Sequence, residues 1–343
     1  MDEKDRLLLI CLQNGLLLTP RPFDVWASKI GVDSAEILVR IQRHKKGGPF
    51  GEIKAILDPR AFHYQSAWVA MRIGGEPTSR TEALWRHPGV IYGCERDHEL
   101  NVWFFIAAPL DHDLELHVRC LEKLAGAEET LFLPVQKVFK GADFLSSLDS
   151  ETFQTMHERF EKQQKTDLPE LDPGEIEIIR QLQEPFPLTD TPYQEIASKI
   201  GITEAQVLEL TRSLAGKGCL KRIGSSLKHA GVAVGVKTLV LWQVPEEKLD
   251  RTGLEIAGFR EVLYADRRPA HPEFPYSLYT MIRTETTSEL EPVMCRIQER
   301  IGKWPYRVLE TLRELKKEKI KYFPKGLDEW RRVHCHAVET AFH

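Results

Sequence analysis

A segment rich in arginine, histidine and tyrosine, residues 266–281, holds the side chains best suited to chemistry in this sequence. Three prolines stiffen its backbone, so little further conformational entropy is lost when a ligand binds. The adjacent Arg267 and Arg268 suit bidentate binding of carboxylates. His271 has a side chain of the type that can donate or accept a proton in catalysis. The segment predicts a site for an acidic ligand; the alternative is a solvated hairpin turn.

A second segment, residues 221–231, combines basic residues with a histidine. It follows the third predicted helix of the second half of the chain, where the wing of a winged helix-turn-helix would lie. It holds Arg222 near its start and His229 near its end. The alternative is an ordinary wing hairpin in which His229 is a turn residue or a core histidine.

An internal repeat in the sequence indicates which structural unit carries these two segments. Residues 27–31 and 197–201 both read Ala-Ser-Lys-Ile-Gly, and further identities flank them at the same spacing. The later parts match more loosely, with Val-Ile-Tyr at residues 90–92 over Val-Leu-Tyr at residues 262–264. Self-similarity of this kind predicts two copies of one structural unit.

Each copy shows the pattern of two linked folds. It begins with three short helices and has a glycine in the turn before the third, as in a helix-turn-helix. The remainder alternates strand and helix in the order βαββαβ, which predicts a ferredoxin-like sheet with one open face. The fold class is therefore α+β, a tandem repeat of a winged helix-turn-helix plus a ferredoxin-like βαββαβ domain. The last strands of the two copies are predicted at residues 131–138 and 319–323.

The domain boundaries follow from the repeat and from composition. Open sheet faces usually pair, so we expect the two copies to form a pseudo-dimer within the chain, with further pairing of chains also open. An acidic, glutamine-containing stretch between the copies reads as a linker. The predicted domains are helix-turn-helix 1–60 and ferredoxin-like 61–150 for the first copy, linker 151–172, helix-turn-helix 173–233 and ferredoxin-like 234–330 for the second copy, and a tail 331–343.

The first copy carries a reduced version of the arginine and histidine segment. Its middle hairpin, residues 95–103, keeps one arginine, Arg96, and one histidine, His98, but has no proline. We therefore expect the two copies to be unequal, with Arg96 and His98 forming a fallback pair in a second pocket.

Composition and missing motifs exclude several function classes. The net charge of −4 and the pI of about 6.3 disfavour a protein whose main task is to bind DNA phosphates. The longest apolar runs, 7–12 and 102–110, are too short to span a bilayer, so no membrane is expected. No phosphate-binding loop, serine nucleophile elbow or His-Glu-x-x-His motif is present, which leaves nucleotide-dependent and hydrolase activities without support.

The cysteines and the terminal histidines point away from a metal site. The six cysteines form no Cys-x-x-Cys pair, a pattern of reduced thiols that predicts a cytoplasmic protein and no cysteine-based zinc site. His334, Cys335 and His336 lack a second pair of ligands, so a disordered tail is expected there.

The motifs resemble those of a known family. The two-part unit resembles the Lrp/AsnC transcription regulators, in which a helix-turn-helix precedes a ferredoxin-like ligand-sensing domain. Arg-Ile-Gly at 222–224 with Lys-His at 228–229, and the Arg-Arg-Pro to Tyr-Thr-Met stretch at 267–281, resemble the signature of the siroheme decarboxylases, a branch of that superfamily. The stretch 95–104 resembles the companion subunit, so the chain is similar to a fused two-subunit form over about residues 5–325. Ser277 departs from the family, which more often has asparagine there.

The resemblance implies a reaction and a set of roles. Siroheme would lose two acetate carboxyls to give didecarboxysiroheme, for haem d1 or for the alternative haem route, in a carboxy-lyase reaction. The conjugated ring serves as the electron sink, so no redox or organic cofactor is implied, and iron enters only within the substrate. Of His271 and His229, one would donate the proton and the other would anchor a carboxylate or approach the iron. The implied carboxylate ligands are Arg222, Arg267, Arg268 and Arg96, the implied apolar floor is Tyr276, Tyr279 and Trp242, and the fallback histidine is His98.

The rival interpretation is an Lrp/AsnC-type regulator that binds DNA and senses a tetrapyrrole. Its support is the helix-turn-helix and a basic cluster at the end of the first copy's third helix, comprising Arg40, Arg43, His44, Lys45 and Lys46. Against it, the equivalent helix of the second copy carries Glu204 and Glu209, which would repel phosphates. The sequence therefore favours an enzyme that does not bind DNA. A haem-binding scaffold without turnover is a third interpretation.

Overall fold

The chain folds into two compact units, each built from corresponding parts of both copies. The computed structural model describes residues 2–47, 50–58, 61–62, 64–75, 80–140, 168–227, 235–318 and 320–336. The first unit, here the helical unit, takes in residues 1–62, 168–232 and 321–323. The second, the sheet unit, takes in residues 63–167, 233–320 and 324–343.

The elements follow the same order in both copies. None of the helices in the described part of the chain is both long enough and apolar enough to cross a bilayer. The first copy contains α1 (Glu3–Asn14), α2 (Pro22–Ile30), α3 (Ser34–Gly47), β1 (Phe50–Leu57), β2 (Tyr64–Arg72), α4 (Glu82–Arg86), β3 (Val90–Arg96), β4 (Val102–Pro109), α5 (Leu114–Ala125), β5 (Glu129–Pro134) and β6 (Lys137–Lys140). The second contains α6 (Pro173–Leu182), α7 (Pro192–Ile200), α8 (Glu204–Gly216), β7 (Leu220–Leu227), β8 (Val236–Trp242), α9 (Glu246–Ala257), β9 (Val262–Arg267), β10 (Leu278–Thr284), α10 (Leu290–Ile301), β11 (Tyr306–Leu309), β12 (Thr311–Lys317) and α11 (Leu327–His334).

The helical unit confirms the predicted helix-turn-helix pair. Gly31 and Gly201 end α2 and α7 in the left-handed conformation, at φ of 74° and 77°, where glycine has no Cβ penalty. Thr203 caps α8 in a capping box with Gln206. Phe23 and Ile37 are fully buried at the centre of the first three helices.

The residues at the predicted wing positions form strands β1 and β7, and residues 228–231 of the second wing segment lie outside the described part of the chain. Strands β1 and β7 pair with each other, antiparallel, from Phe50 opposite Leu227 to Leu57 opposite Leu220. Each copy supplies one strand to this two-stranded ribbon. The pairing gives hydrogen bonds to backbone N–H and C=O groups that an unpaired strand would leave without partners. Gly224 has no room for a side chain, because a Cβ would lie 2.5 Å from the Leu12 carbonyl oxygen. The glycine of the Arg-Ile-Gly motif is therefore required by packing against α1.

The sheet unit confirms the ferredoxin-like prediction and adds an exchange of strands. Its two sheets run β5-β2-β4-β3-β12 and β11-β8-β10-β9-β6. In each, the first four strands have the order of a ferredoxin-like sheet, and the fifth comes from the other copy. Strand β6 pairs with β9 of the second copy, and β12 pairs with β3 of the first.

The predicted last strands need correction. The strand expected at 319–323 is wrong, because β11 takes that place in the sheet. The aromatic residues Tyr322 and Phe323 pack instead against Phe62 in the helical unit, with ring centroids 4.5 and 5.8 Å away. The strand expected at 131–138 covers parts of β5 and β6, which belong to different sheets.

The expected disordered tail is wrong as far as residue 336. Helix α11 packs into the helix-side core of the first-copy sheet, where Leu327, Trp330 and Cys335 are buried. Residues 337–343 lie outside the described part of the chain.

A chain of three buried histidines stands beside α11. His87 Nε2 lies 2.9 Å from His117 Nδ1, His117 Nε2 lies 3.3 Å from His112 Nδ1, and His112 Nε2 lies 3.3 Å from Asp328 Oδ1 on α11. The Gly89 N–H donates to His87 Nδ1, which makes that nitrogen an acceptor. Each ring then donates from Nε2 to the next, so the chain is complete only when all three histidines are neutral.

Trp330 of α11 covers this histidine chain. Its ring stacks on His117 at 5.3 Å and meets His87 edge-on at 4.1 Å. Burial lowers the pKa of His117 to about 4 and places the pKa of His87 well below its usual range, and the neighbouring histidines act in the same direction. The charged groups around the chain are Lys316, Arg331, His334, Asp113 and Asp328.

We expect the histidine chain to make stability depend on pH. The pKa of His117 is lower in the folded state, about 4, than in the unfolded state, about 6.5. Its contribution to the free energy of unfolding is therefore complete above about pH 6.5 and is lost as the pH falls towards 4. Between pH 7.5 and pH 5, His117 alone should lower the free energy of unfolding by about 2 kcal/mol. In urea unfolding, His117→Phe should remove this pH-dependent part of the free energy of unfolding, whereas His336→Ala should retain it. An unchanged pH slope in His117→Phe would contradict this assignment.

The exchanged strands should hold the two copies together without a covalent link. Separating the copies would uncover the β6–β9, β12–β3 and β1–β7 pairings. Cleavage at an engineered protease site near residue 155 should therefore give two fragments that elute together in size-exclusion chromatography, at the position of the uncut chain. Two separate peaks of half the mass would show that strand exchange does not hold the copies.

Candidate active site

The open faces of the two sheets meet and enclose one cavity. Residues alternate between the two faces of a strand, so one set packs against helices and the other faces the opposite sheet. The space open to the centre of a water molecule is about 10 Å³, which fits about one water. The lining residues are Trp68, Arg96 and Trp103 from the first copy and Leu239, Tyr264, Arg268 and Met281 from the second.

A buried ion pair organises the second-copy side of this cavity. Arg268 Nε lies 3.1 Å from Asp266 Oδ1, and Arg268 Nη2 donates to the Tyr264 hydroxyl, which donates in turn to Asp266. Burial raises the pKa of Asp266, and Arg268 opposes that rise. Because Asp266 and Tyr264 already hold the guanidinium, the positive charge of Arg268 is compensated within its own sheet.

Tyr279 lies beneath Arg268 on the same face. The guanidinium carbon is 4.2 Å from the centre of its ring, within cation–π distance. Burial raises the pKa of Tyr279, so its hydroxyl stays protonated at working pH. This hydroxyl is buried and has no hydrogen-bond partner among the described residues. This donor is therefore unsatisfied within the part of the chain that the structure describes.

Arg96 comes from the first copy and is 4% exposed. Its Nη1 donates to the Leu309 carbonyl at 3.3 Å and to the Thr311 hydroxyl at 3.0 Å, where β12 crosses β3. Its Nε is buried without a hydrogen-bond partner in the described ranges. The expected second pocket is therefore not separate: Arg96 and Arg268 line the same cavity.

The proline-rich segment packs on the first-copy hairpin through Phe274. His271 and Phe274 form a short bridge with backbone hydrogen bonds of 2.9 and 3.0 Å. The buried Phe274 ring lies 5.5 Å from the ring of His98, 6.0 Å from that of Trp103 and 5.0 Å from that of Tyr276. The predicted residues of the two hairpins are thus brought to one place.

The two histidines beside Phe274 differ in their hydrogen bonds. His98 Nδ1 accepts from the Leu100 N–H, so its Nε2 carries the proton, and burial lowers its pKa. His271 Nε2 is buried and has no hydrogen-bond partner among the described residues. The Nε2 atoms of His98 and His271 can therefore each meet a group that the protein itself does not supply.

Arg267 and Trp242, two of the predicted site residues, lie on the helix side of the second-copy sheet and not at the cavity. Arg267 alternates to the opposite face from Arg268, where it pairs with Glu246 at 2.7 Å. Trp242 lies in the helix-side core, where its Nε1 donates to Thr280 Oγ1 at 2.9 Å. Arg222 lies on β7 of the helical unit, with a buried Nε that lacks a hydrogen-bond partner in the described part of that unit. His229 lies outside the described residues.

Sequence reasoning missed several residues of the cavity. Tyr264 and Asp266 alternate with Arg268 along β9, and this period of two could have revealed them. Trp68 and Trp103 lie in continuous apolar strands, which hold no signal that separates a cavity from a core. Within the described ranges, no group of three or more His, Cys, Asp or Glu residues is arranged to hold a metal ion.

Family models match both parts of the chain. The model described as the siroheme decarboxylase NirDL-like HTH domain matches residues 5–49 and 175–220. The model described as the AsnC-like ligand binding domain matches residues 233–316. The matches follow the division into helical and sheet units.

Relatives and solved structures extend this likeness to nearly the whole chain. A siroheme decarboxylase of Hydrogenobacter thermophilus is 29% identical over 334 residues, which cover 96% of this chain and 97% of that protein. A siroheme decarboxylase beta subunit of Methanosarcina barkeri is 30% identical over 44% of this chain and 99% of its own length. A crystal structure of the siroheme decarboxylase NirDL with an iron-uroporphyrin III analogue has a TM-score of 0.71 and 25% identity, and covers 98% of this chain and 100% of that one.

Two tyrosine hydroxyls should differ in their effect on stability. Tyr264→Phe removes the hydroxyl that joins Asp266 and Arg268, and should lower the free energy of unfolding by about 1–3 kcal/mol. Tyr279→Phe removes a hydroxyl that has no hydrogen-bond partner among the described residues, and should change the free energy of unfolding by no more than about 0.5 kcal/mol. Urea unfolding of both variants measures the contrast. Equal losses would show that the Tyr264 hydroxyl does not hold the ion pair.

Proposed function

The chain belongs to the siroheme decarboxylase family, and we propose that it removes the two acetate carboxyls of siroheme to give didecarboxysiroheme. The observation that carries this proposal is the full-length likeness to NirDL, a protein solved with an iron-uroporphyrin III analogue. The likeness runs through both copies and both units, so it includes the segments that hold the candidate site.

The reaction balances without an added oxidant or reductant. In each step the bond between the carboxylate carbon and the methylene breaks, CO2 leaves, and the electron pair stays on the methylene. One proton then converts the methylene to a methyl group. We therefore propose a carboxy-lyase that needs no redox or organic cofactor, with the substrate's conjugated ring as the electron sink. The protein must supply cationic groups for the carboxylates and a proton donor.

Arg96 and Arg268 line the cavity as cationic groups, and its rim offers candidate proton donors. His271 and His98 flank Phe274, and each leaves a ring nitrogen for a ligand or a proton. Tyr279 adds a protonated hydroxyl. A cavity that fits about one water excludes a macrocycle. We propose that the ring lies against the 266–281 segment and that only its carboxylate arms reach inward.

The helical unit supports the absence of DNA binding. Arg40 pairs with Asp2, Asp5 and Glu36 at 2.7–2.8 Å, and Arg43 pairs with Asp5 at 3.1 Å. Burial raises the pKa of Asp5, but hydrogen bonds such as that from Arg40 outweigh it and hold that pKa at about 2. The basic end of α3 is thus neutralised by carboxylates of its own unit, which leaves less charge for phosphates.

Anaerobic incubation with siroheme followed by mass spectrometry tests the proposal. The expected product lacks two CO2 units. His271→Ala should slow its formation by about 100-fold if this ring donates the proton, and His336→Ala should not. Bound siroheme whose mass never changes would overturn the decarboxylase assignment in favour of a binding scaffold. Full activity in both His271→Ala and His98→Ala would remove these histidines from the mechanism.

A further inference from the structure

The two arginines of the cavity occupy equivalent positions. In the first copy Tyr92 lies opposite Phe105 and Cys94 opposite Trp103. In the second copy Tyr264 lies opposite Met281 and Asp266 opposite Tyr279, and both strand pairs have their irregularity beside the tyrosine. The registers therefore make Cys94 the counterpart of Asp266. Two residues further along each strand, Arg96 is the counterpart of Arg268.

The two arginines differ in their counter-charge. Arg268 has the Asp266 carboxylate at 3.1 Å and the Tyr264 hydroxyl as a second partner. Arg96 has a thiol at the equivalent place, and its contacts are the Leu309 carbonyl, the Thr311 hydroxyl, that Cys94 thiol and the Trp103 ring at 5.9 Å. Among the described residues no carboxylate pairs with Arg96. It is a buried cation with a spare Nε–H.

We infer that Arg96, rather than Arg268, binds a carboxylate group of the ligand in this cavity, and that Cys94 is the position that permits it. The inference rests on the proposed function for the identity of the ligand, but its physical basis is the missing counter-charge. It narrows the expectation from sequence, in which Arg96 was one of four carboxylate ligands and, with His98, formed a fallback pair.

Electrostatics distinguish the two sides of the cavity. A carboxylate that approaches Arg268 also meets the negative charge of Asp266, so the attraction is largely cancelled. A carboxylate that approaches Arg96 meets an uncompensated cation in a buried setting, where a charge-assisted hydrogen bond is strong. Since an unpaired buried charge is destabilising, an arriving carboxylate also relieves that cost. The small volume admits one such group, after displacement of water and movement of the lining side chains.

Arg96 also contacts Leu309 at the end of β11 and Thr311 at the start of β12, so a test must separate ligand binding from these structural contacts. Substituting Arg96 itself would change both. Substituting Cys94 leaves the arginine in place and changes only the charge beside it. The matched variants are C94D and C94N, which have nearly the same shape and differ by one negative charge.

The measurement is the Kd of the full chain for siroheme by absorbance titration, together with melting temperature. C94D should raise the Kd about ten- to hundredfold relative to C94N, because the introduced carboxylate pairs with Arg96 and displaces the ligand's carboxylate. Thr311→Ala removes a β12 contact of Arg96 without changing charge, and should keep the Kd within about threefold. A merely structural Arg96 would instead give equal Kd values for C94D and C94N, and that result would overturn the inference.

Failure of the inference and failure of the proposed function give different results. If the unsubstituted chain decarboxylates siroheme and C94D binds it as well as C94N does, the inference fails and the function stands. If the chain does not decarboxylate siroheme but binds iron uroporphyrin with a Kd that C94D raises over C94N, the function fails and the inference stands. If neither tetrapyrrole binds, both fail.

Discussion

The exchange of edge strands between the two copies is the constraint on which the sheet unit depends. A ferredoxin-like sheet leaves the outer strand of its middle hairpin with unpaired backbone groups. Strands β6 and β12 cover those edges reciprocally, and they do so beside the ends of β9 and β3 where Arg268 and Arg96 stand. The contacts of Thr311 and Leu309 with Arg96 are a direct product of that exchange. The strands that cover the sheet edges thus also supply contacts to an arginine of the cavity.

A tandem chain can build what a symmetric dimer cannot. In a dimer of identical subunits, both halves of a two-fold interface carry the same residues. Here the same backbone positions hold Cys94 in one copy and Asp266 in the other. Arg268 consequently has a paired carboxylate in Asp266, while Arg96 has none among the described residues. The covalent link thus allows an asymmetric electrostatic field across a nearly symmetric scaffold.

Much of the architecture could be predicted from sequence, and the reasons for the failures are physical. The repeat, the glycine turns and the period-two strands revealed both folds, since these signals are local. The strand expected at 319–323 failed because aromatic residues such as Tyr322 look the same whether a sheet or Phe62 buries them. Arg268 and Arg96 were selected from the sequence, yet whether each has a carboxylate partner depends on which residue lies beside it on its strand. Trp68 has no local signal at all.

The place of helix α11 bears on how the protein is made. The first-copy sheet needs Leu327, Trp330 and Cys335 to fill its core, and β12 to cover its edge. All of these follow strands β8–β11 in the sequence and therefore leave the ribosome after them. Until residues 311–335 have been translated, the first-copy sheet has an apolar gap in its core and an uncovered strand edge. Such exposed surfaces make the partly translated chain prone to aggregation.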